Sequence, residues 1–430
     1  MPDLKNKLLK KEAIISVIGL GYVGLPLAIE FLNKEFLVRG IEINKSRVNA
    51  LKRAESYILD LDDRILKNIF KQGRFKVTAS YNAIQNSDVV IICVPTPLRK
   101  TGEPDISCIL DSVKKIKKYL RKDMLIVLES TTYPGTTEEV VLPILSGNNM
   151  QVGRDFYLAF SPERIDPGNK KYQTANIPKV IGAVTQNCLE CAKILYQQIV
   201  SRIVTVSSPR AAEMVKLLEN SFRSVNIALV NEIAFICDKM GIDVWEVIGA
   251  AKSKPFGYMP FYPGPGIGGH CIPTDPMYLI WKSRLAGYEP KLIKTAYDIN
   301  SFMPHHVVEK LTAGLKAKRK ACKGAKVLII GISYKPDVSD MRESPALEIM
   351  RELIRKKTEV CFYDPYVKKI QIEDKTYTSI SWNEKNIKEM DAVVIVTNHS
   401  NMNYEILKKA VFIIDTRNAL KGKAKNLVKI

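Results

Sequence analysis

The chain has 430 residues and a formal net charge of +20, so it is too long for one compact core, and two or three domains are expected. No stretch approaches the ~20 apolar residues needed to cross a bilayer, and the charged start MPDLKNKLLKKEA lacks the apolar core of a secretion signal. These features argue against a membrane protein and predict a cytoplasmic one.

The first part of the chain alternates short apolar runs with amphipathic stretches. AIISVIGLG, LVRGIEI, SDVVIICVPTP and MLIVLES are the apolar runs. This alternation is typical of βαβ units and a parallel sheet. Residues 1–208 are therefore predicted to form a doubly wound α/β domain.

Three glycines follow the first of these runs. Gly19, Gly21 and Gly24 in VIGLGYVG come directly after a predicted strand and open a helix. In that context they permit a tight turn, the approach of a pyrophosphate to the backbone, and close packing of helix on strand. Glu42 closes the next strand, where a carboxylate binds a ribose 2′-hydroxyl and repels a 2′-phosphate. The motif predicts NAD rather than NADP, although Arg47 nearby favours a 2′-phosphate.

Eight cysteines are scattered along the chain without regular spacing, which indicates reduced thiols rather than a disulfide framework. Cys188 and Cys191 form a C-x-x-C pair. A second pair and nearby histidines are missing, so the pair is interpreted as sharing a helix face, and no metal is expected.

The middle of the chain, residues 209–315, is predicted to be a helical domain. The run that begins at Pro209 keeps its apolar residues at helical spacing over more than ~25 positions. A helix of that length is either a dimer surface or part of the domain's own core.

Two polar side chains of this helix are separated by four positions and therefore share a face. Lys216 and Asn220 together can hold a water or an alkoxide and stabilise negative charge on oxygen. An exposed helix face is the alternative interpretation. Glu163, which ends an earlier apolar strand, is either a general base or a turn cap.

The segment PGPGIGGHCIPTDP, residues 263–276, combines backbone-exposing glycines with a thiol. Cys271 stands beside His270, with Asp275 four positions later. A thiolate can add to an aldehyde, the adduct can lose a hydride, and the resulting thioester can be hydrolysed. By itself, a cysteine in such a loop is also consistent with a plain buried residue, and His270 with a structural role.

The α/β pattern returns after the basic run Lys316–Lys326. Residues 316–430 lack a second G-x-G-x-x-G, so this unit is predicted to bind something other than a dinucleotide in the standard way. The fold class is therefore α/β, with two Rossmann-like domains joined by a helical domain. Because the other basic residues are dispersed, they indicate a surface that attracts a small anionic substrate, and no nucleic-acid partner is predicted.

Seven ordered motifs together resemble the UDP-glucose/GDP-mannose dehydrogenase family over nearly the whole chain. They are VIGLGYVGLPLA, CVPTP, ESTTYPGTT, SPER, EMVKLLENSFR, PGPGIGGHCIPTDP and YKPDVSDMRESPA. The resemblance implies an NAD domain, a central domain that forms a homodimer, and a C-terminal UDP-sugar-binding domain. It also implies NAD-dependent oxidation of the primary alcohol of a UDP-sugar to a carboxylate through a cysteine thioester.

The resemblance further implies residue roles. Cys271 is the nucleophile, Lys216 and Asn220 stabilise oxyanions, Asp275 and Thr131 support the ordered water, and Glu163 assists thioester hydrolysis. The implied cofactor contacts are Gly19, Gly21, Tyr22, Val23, Gly24, Glu42, Arg47, Pro95, Thr96 and Thr131. The implied substrate contacts are Glu163, Arg164, Lys216, Asn220, Arg223, Phe261, Tyr262, Gly268, Tyr334, Lys335 and Arg342.

The sugar is less strongly indicated than the reaction. The form KPFG…FYPGPG before Cys271 resembles the branch that oxidises UDP-N-acetylglucosamine for surface polysaccharides more than the UDP-N-acetylmannosamine or UDP-glucose branches. Ile165-Asp166-Pro167 stands where many UDP-glucose enzymes carry a second acidic residue. A two-electron hydroxyacid dehydrogenase, which would not need Cys271, and a non-catalytic nucleotide-sugar sensor are the remaining alternatives.

Overall fold

A computed structural model describes residues 3–58, 61–147, 150–166, 172, 174–269, 271–422 and 424–430. It divides into two compact units. The first comprises Met1–Glu219 and Met277–Tyr288, and the second comprises Asn220–Pro276 and Glu289–Ile430. His270 and Pro167 lie outside the described residues.

The first unit is built on an eight-stranded sheet with the order β3-β2-β1-β4-β5-β6-β7-β8. Its strands are β1 (Ile14–Ile18), β2 (Leu37–Ile41), β3 (Phe75–Thr78), β4 (Val89–Ile92), β5 (Met124–Leu128), β6 (Phe156–Phe160), β7 (Lys179–Ala183) and β8 (Ile203–Thr205). All neighbours pair in parallel except β6 and β7.

Helices cover both faces of this sheet. They are α1 (Leu4–Leu9), α2 (Gly24–Asn33), α3 (Lys45–Lys52), α4 (Asp63–Lys71), α5 (Ser107–Lys117), α6 (Leu142–Leu145) and α7 (Gln186–Gln197), with 3₁₀ turns at Tyr81–Asn86 and Thr174–Asn176 and a π-helix at Thr136–Val141. In β4, Val89 and Ile91 join one apolar cluster, while Val90 and Ile92 join another. Because side chains alternate across a strand, a core on each face requires this continuously apolar sequence.

Long helices follow the first sheet. They are α8 (Pro209–Met240), α9 (Val244–Ala251), α10 (Cys271–Leu285) and α11 (Lys291–Ala317). The 32 residues of α8 match the long helical run predicted from the sequence. Asp243 caps α9 by accepting a hydrogen bond from the Trp245 backbone amide.

The second unit contains a five-stranded parallel sheet with the order β10-β9-β13-β14-β15 and a separate hairpin, β11-β12. The elements are β9 (Lys326–Ile330), α12 (Pro345–Arg355), β10 (Glu359–Tyr363), β11 (Lys369–Ile372), β12 (Lys375–Thr378), α13 (Glu384–Lys388), β13 (Ala392–Ile395), a 3₁₀ turn (Tyr404–Lys409), β14 (Ile413–Asp415) and β15 (Leu427–Lys429). Two Rossmann-like sheets and the long helices confirm the predicted fold class. Within the described residues, no helix has the length and apolarity needed to cross a membrane.

Candidate active site

The glycine turn after β1 has the geometry that the motif predicts. Gly19 has a φ of +86°, and a Cβ there would lie 2.5 Å from the Cys93 carbonyl oxygen. A Cβ at Gly24, the first residue of α2, would lie 1.9 Å from the Gly19 carbonyl oxygen, whereas one at Gly21 would meet nothing within 4 Å. The outer glycines are thus required by packing, and the middle one leaves open space in which a pyrophosphate fits.

Glu42 lies next to this turn with its carboxylate fixed. It is 5% exposed and accepts hydrogen bonds from the backbone amides of Leu20 at 3.2 Å and Asn44 at 2.9 Å. Arg47 Nη1 lies 3.6 Å from Glu42, and its guanidinium also lies over the Tyr57 ring. A fixed carboxylate beside the turn suits the ribose of NAD, while its pairing with Arg47 reduces the charge that would repel a 2′-phosphate.

Hydrogen bonds connect the loops after β4 and β5. The buried Thr96 hydroxyl donates to the Thr131 carbonyl at 2.7 Å, and the Tyr278 hydroxyl donates to the Thr96 carbonyl. Pro95 beside them is exposed, and Thr131 is half-buried. Thr131 is therefore held on a braced loop at the carboxyl edge of the sheet, where α/β proteins bind ligands.

Three buried charges meet behind these loops, and only Glu163 among them was predicted from the sequence. The Lys179 ammonium donates to Glu129 at 2.8 Å and to Glu163 at 3.0 Å, and the Tyr196 hydroxyl donates to the other Glu129 oxygen. Burial alone would lower the pKa of Lys179, but the two carboxylates raise it. Burial also raises the pKa of Glu129. Lys179 is thus a fixed cation on which Glu163 is oriented.

This network makes Glu163 a weak base. Burial alone would raise the pKa of its carboxyl, but Lys179 and the backbone amides of Ile165 and Arg164 lower it. These amides donate to one carboxylate oxygen at 2.8 and 2.7 Å, in the manner of a turn cap. A carboxylate stabilised on both oxygens accepts a proton weakly, so Glu163 is better suited to orienting neighbours than to removing a proton.

Two further predicted residues of the first unit differ in their partners. Arg164 is engaged within the protein, since its guanidinium pairs with Glu219 at 2.6 Å and donates to the Pro178 carbonyl at 2.8 Å. Lys216 is 8% exposed, and no hydrogen-bond or ion-pair partner for its ammonium occurs among the described residues. Because a buried, unpaired charge is costly, Lys216 has the properties of a residue kept for function.

Glu213 precedes Lys216 on α8, and the sequence analysis overlooked it. Its buried carboxylate accepts hydrogen bonds from the backbone amides of Gly135 at 2.5 Å and Thr137 at 2.9 Å, and from the Thr137 hydroxyl at 2.7 Å. Burial raises the pKa of Glu213 to about 7, and Glu138 contributes in the same direction. Glu213 thereby connects α8 to the segment that contains Thr131.

We expect Glu213 to make stability depend on pH. Its pKa is raised in the folded state, so the folded protein binds more protons than the unfolded chain between about pH 4.5 and pH 7. The stabilisation is therefore present at low pH and lost as the pH rises through 7, by up to about 3 kcal/mol. The free energy of unfolding, measured with denaturant at several pH values, should show this pH dependence in the wild type but not in Glu213→Gln. The control Glu138→Gln should keep most of it, because Glu138 is a smaller cause of the shift than burial. An unchanged slope in Glu213→Gln would contradict the assignment.

The second unit holds the predicted nucleophilic thiol and a hydrogen-bonded Asn–Asp pair. Cys271 is exposed and begins α10. Asn220 Nδ2 donates to Asp275 Oδ2 at 2.5 Å, and Asp275 is 1% exposed. The positive end of a helix favours a thiolate, and a fixed carboxylate holds the Asn220 amide in one orientation. Arg223, one helical turn after Asn220, is exposed.

The glycine-rich loop before Cys271 packs against the YKPDVSDMRES segment. The Gly269 amide donates to the Arg342 carbonyl at 2.9 Å. A Cβ at Gly268 would lie 2.6 Å from Tyr334 Cβ, and one at Gly269 would lie 2.9 Å from the Tyr334 ring. Since neither position has room for a side chain, glycine is required, and the two predicted motifs form one surface.

Aromatic side chains pack against the segment that immediately precedes the glycine-rich loop. Phe261 is half-buried and contacts Phe222 edge-on, with 5.9 Å between ring centroids. The half-exposed Tyr262 stacks on Trp245 at 5.9 Å. Phe261 and Tyr262 therefore fix the segment before the loop through ring contacts, while part of each ring remains exposed to solvent.

The surface formed by the glycine-rich loop and the YKPDVSDMRES segment carries cationic side chains. They differ in how far nearby carboxylates neutralise their charge. Arg342 is exposed, and its guanidinium donates to Asp340 at 3.0 and 2.6 Å. Lys335 is half-buried, and its ammonium lies 5.7 Å from the Tyr334 ring centroid. Arg342 must therefore share its donors with Asp340 in binding an anion.

Arg417 was missed in the sequence, and it is the least neutralised arginine of the surface. Its Nε donates to the Val396 carbonyl at 2.8 Å, and its Nη1 lies 2.7 Å from where a Gly264 Cβ would stand. Among the described residues no acceptor is present for its Nη groups. Burial lowers the pKa of Arg417 to about 10 despite the Asp415 carboxylate. Its position two residues after β14, at the carboxyl edge of the sheet, was the available signal.

A dinucleotide-binding turn in the first unit, and in the second an exposed thiol at the start of the helix that carries Asp275, are features of an NAD-dependent dehydrogenase. The chain matches three domain models of the UDP-glucose/GDP-mannose dehydrogenase family: the NAD binding domain at residues 13–200, the central domain at 210–301 and the UDP binding domain at 328–422. The chain belongs to this family.

Curated relatives of the chain include enzymes for two different sugars. It is 37% identical over 359 residues, covering 83% of this chain and 84% of the relative, to UDP-N-acetyl-D-glucosamine 6-dehydrogenase of Pseudomonas aeruginosa. It is 37% identical over 419 residues, covering 94% and 92%, to UDP-N-acetyl-D-mannosamine dehydrogenase of Methanocaldococcus jannaschii. The structure of UDP-D-ManNAc dehydrogenase from Pyrococcus horikoshii matches with a TM-score of 0.88 and 34% identity, covering 97% and 98% of the two chains.

Proposed function

We propose that the chain catalyses the NAD-dependent, four-electron oxidation of the C6 primary alcohol of UDP-N-acetyl-D-glucosamine to the carboxylate, for surface polysaccharide synthesis. The observation that carries the reaction type is Cys271, an exposed thiol at the start of α10 in the unit that also holds the Asn220–Asp275 pair. A two-electron alcohol dehydrogenase has no need of this nucleophile.

The proposed reaction proceeds through an aldehyde. Loss of a proton from the C6 hydroxyl and of a hydride from C6 gives the aldehyde, to which the Cys271 thiolate adds. Loss of a second hydride from this thiohemiacetal gives a thioester, and attack by water releases the carboxylate and the thiolate. Bound NAD would take up one hydride in each oxidation.

The surrounding side chains suit the charges that develop. Negative charge appears on the C6 oxygen of the alkoxide, the thiohemiacetal and the tetrahedral adduct of water. We propose that the Lys216 ammonium, which has no partner among the described residues, and the Asn220 amide stabilise this oxygen, since they lie one turn apart on α8. Asp275 fixes the amide, Thr131 orients the attacking water, and Glu163 assists hydrolysis as an oriented carboxylate rather than as a strong base.

We propose that the nucleotide part of the substrate is bound by Lys335, Arg342 and Arg417. Their cationic groups belong to the domain that matches the family's UDP binding domain. A planar guanidinium with unused donors binds phosphate oxygens in a fork, and this supports Arg417 as the principal anion contact.

UDP-N-acetyl-D-mannosamine is the second candidate substrate. It is supported by the relatives that act on it and by the TM-score of 0.88 to one of them. The glucosamine form is preferred here because the KPFG…FYPGPG segment resembles that branch. The two sugars differ only in configuration at C2, so discrimination depends on contacts to the acetamido group.

Incubation of the purified protein with NAD and separate UDP-sugars tests the proposal. We expect the highest kcat/KM with UDP-N-acetylglucosamine, lower values with UDP-N-acetylmannosamine and UDP-glucose, and two NADH formed per sugar consumed. One NADH per sugar would instead support a two-electron dehydrogenase. No turnover of any UDP-sugar would refute the proposed function.

We also propose a homodimer formed through the central helical domain, residues 209–315. Phe222, Leu229, Ile236 and Met240 are 48%, 53%, 46% and 67% exposed along α8. Spacings of seven, seven and four place them on one stripe, as in paired helices. A protein that sediments as a monomer at micromolar concentration would contradict this proposal.

A further inference from the structure

A buried histidine lies beneath the segment that contains Lys335 and Arg342. We infer that His399 is a positioning residue for substrate binding, because it holds the substrate loop, residues 333–343, on the sheet of the second unit. The inference rests on the proposed function only in taking this loop to bind the UDP-sugar.

His399 makes a different hydrogen bond with each ring nitrogen. The side chain is 0% exposed and follows β13. Nδ1 accepts from the backbone amide of Asp337 at 3.0 Å, and Nε2 lies 3.1 Å from Asp364 Oδ2. Since Nδ1 accepts, the ring proton resides on Nε2 and is donated to the carboxylate. The imidazole therefore joins the substrate loop to Asp364.

Asp364 is a fixed anchor for this connection. Its Oδ2 accepts from the backbone amides of Ile332 at 2.7 Å and Ser333 at 3.1 Å, and its Oδ1 accepts from those of Tyr366 and Val367. Burial alone would raise the pKa of Asp364, but the bond from His399 and the backbone amides lower it. The carboxylate is thus charged, buried and immobile.

The part of the loop that His399 holds has an unfavourable backbone conformation. Asp337 has a φ of +62°, in the left-handed region that costs a non-glycine residue energy. Its amide is held by His399, and its Oδ1 accepts from the Ser400 amide at 2.8 Å. Asp337 lies two residues after Lys335, so release of this amide would let the conformation relax and displace the Lys335 ammonium.

Two amide substitutions separate the functions of the two nitrogens. His399→Asn places an oxygen near the position of Nδ1 and can still accept from Asp337, but it loses the bond to Asp364. His399→Gln places an amide nitrogen near the position of Nε2 and can still donate to Asp364, but it loses the acceptor for Asp337. Both variants remove the ring, and asparagine leaves the larger void, so a greater effect of His399→Gln on UDP binding does not come from lost packing.

We expect His399→Gln to raise the KM for the UDP-sugar and the Kd for UDP roughly five- to tenfold, the usual effect of one lost hydrogen bond. His399→Asn should raise both by less than about threefold. The KM for NAD should be unchanged in both variants. Asp337→Ala, at a side chain that is 42% exposed, should loosen the same loop from its outer side and raise the UDP Kd without a large loss of thermal stability.

Equal UDP affinities of the two His399 variants would overturn the inference, as would a rise in the NAD KM that parallels the UDP-sugar KM. If both His399 variants fail to fold, an unchanged UDP Kd in Asp337→Ala would overturn it. The Kd for UDP is measured by calorimetry and requires no turnover. If the wild type bound UDP but oxidised no UDP-sugar, the proposed function would be refuted. The role of His399 would still be tested by the UDP Kd values of its two variants.

Discussion

Cys271→Ser is expected to abolish steady-state oxidation, with kcat falling on the order of 10³-fold or more, because it removes the thiolate that adds to the aldehyde in the proposed mechanism. A serine hydroxyl is a poorer nucleophile than a thiolate, and an ester is hydrolysed less readily than a thioester. Binding should be preserved, since the side chain is exposed and the substitution exchanges one atom. The Kd values for NAD and UDP should stay within about threefold of the wild type.

The matched control is Cys108→Ser, which changes another accessible thiol, on α5, and should leave kcat unaltered. Mass spectrometry of Cys271→Ser after incubation with NAD and UDP-sugar should detect the sugar acid esterified to the protein if the serine adds to the aldehyde. A Cys271→Ser enzyme with wild-type kcat would eliminate the thioester mechanism. The NAD and UDP-sugar assignments would stand, because they depend on other residues.

Arg417→Met is expected to raise the KM for the UDP-sugar by roughly 10- to 100-fold and to leave the KM for NAD unchanged. Each charge-assisted hydrogen bond from its unpaired Nη groups to a phosphate oxygen is worth about 1.5–3 kcal/mol, and 1.4 kcal/mol corresponds to a tenfold change. The free energy of unfolding should decrease much less, because methionine fills a similar volume and removes a charge whose Nη groups have no acceptor among the described residues.

Two further variants provide reference values for the rise in the UDP-sugar KM of Arg417→Met. Arg417→Lys keeps the charge without the planar fork, so its KM should lie between those of wild type and Arg417→Met. Arg342→Ala should raise the KM less than Arg417→Met, since the Arg342 guanidinium is already paired with Asp340. If Arg417→Met lowered the melting temperature strongly and left the UDP-sugar KM unchanged, Arg417 would be a structural residue held through Val396.

Local sequence predicted those parts of the site that depend on neighbouring residues. Gly19, Gly21 and Gly24 act within one strand-turn-helix segment, and the turn has the close approaches that the motif requires. Lys216 and Asn220 share a face because four residues make one helical turn. The long run from Pro209 is a single helix, since its apolar spacing continues without interruption.

Tertiary structure decided everything that depends on partners distant in sequence. Asp275 lies 55 positions from Asn220, whose amide it orients. Lys179 lies 50 positions from Glu129 and 16 from Glu163. Lys179 and two backbone amides lower the pKa of Glu163 against the effect of burial, and burial raises the pKa of Glu213. Both shifts are properties of the folded surroundings rather than of residue type.

The sequence by itself determined the fold class and the family, because periodicity and short motifs encode local backbone geometry. Only the folded chain showed that Arg342 is neutralised by Asp340, whereas the Arg417 Nη groups have no acceptor within the described part of the chain. The same holds for His399, which connects a strained loop to a buried carboxylate. The physical reason is that hydrogen-bond satisfaction depends on which groups meet in space, and segments such as IIDTRN and VTNHS carry no local sign of it.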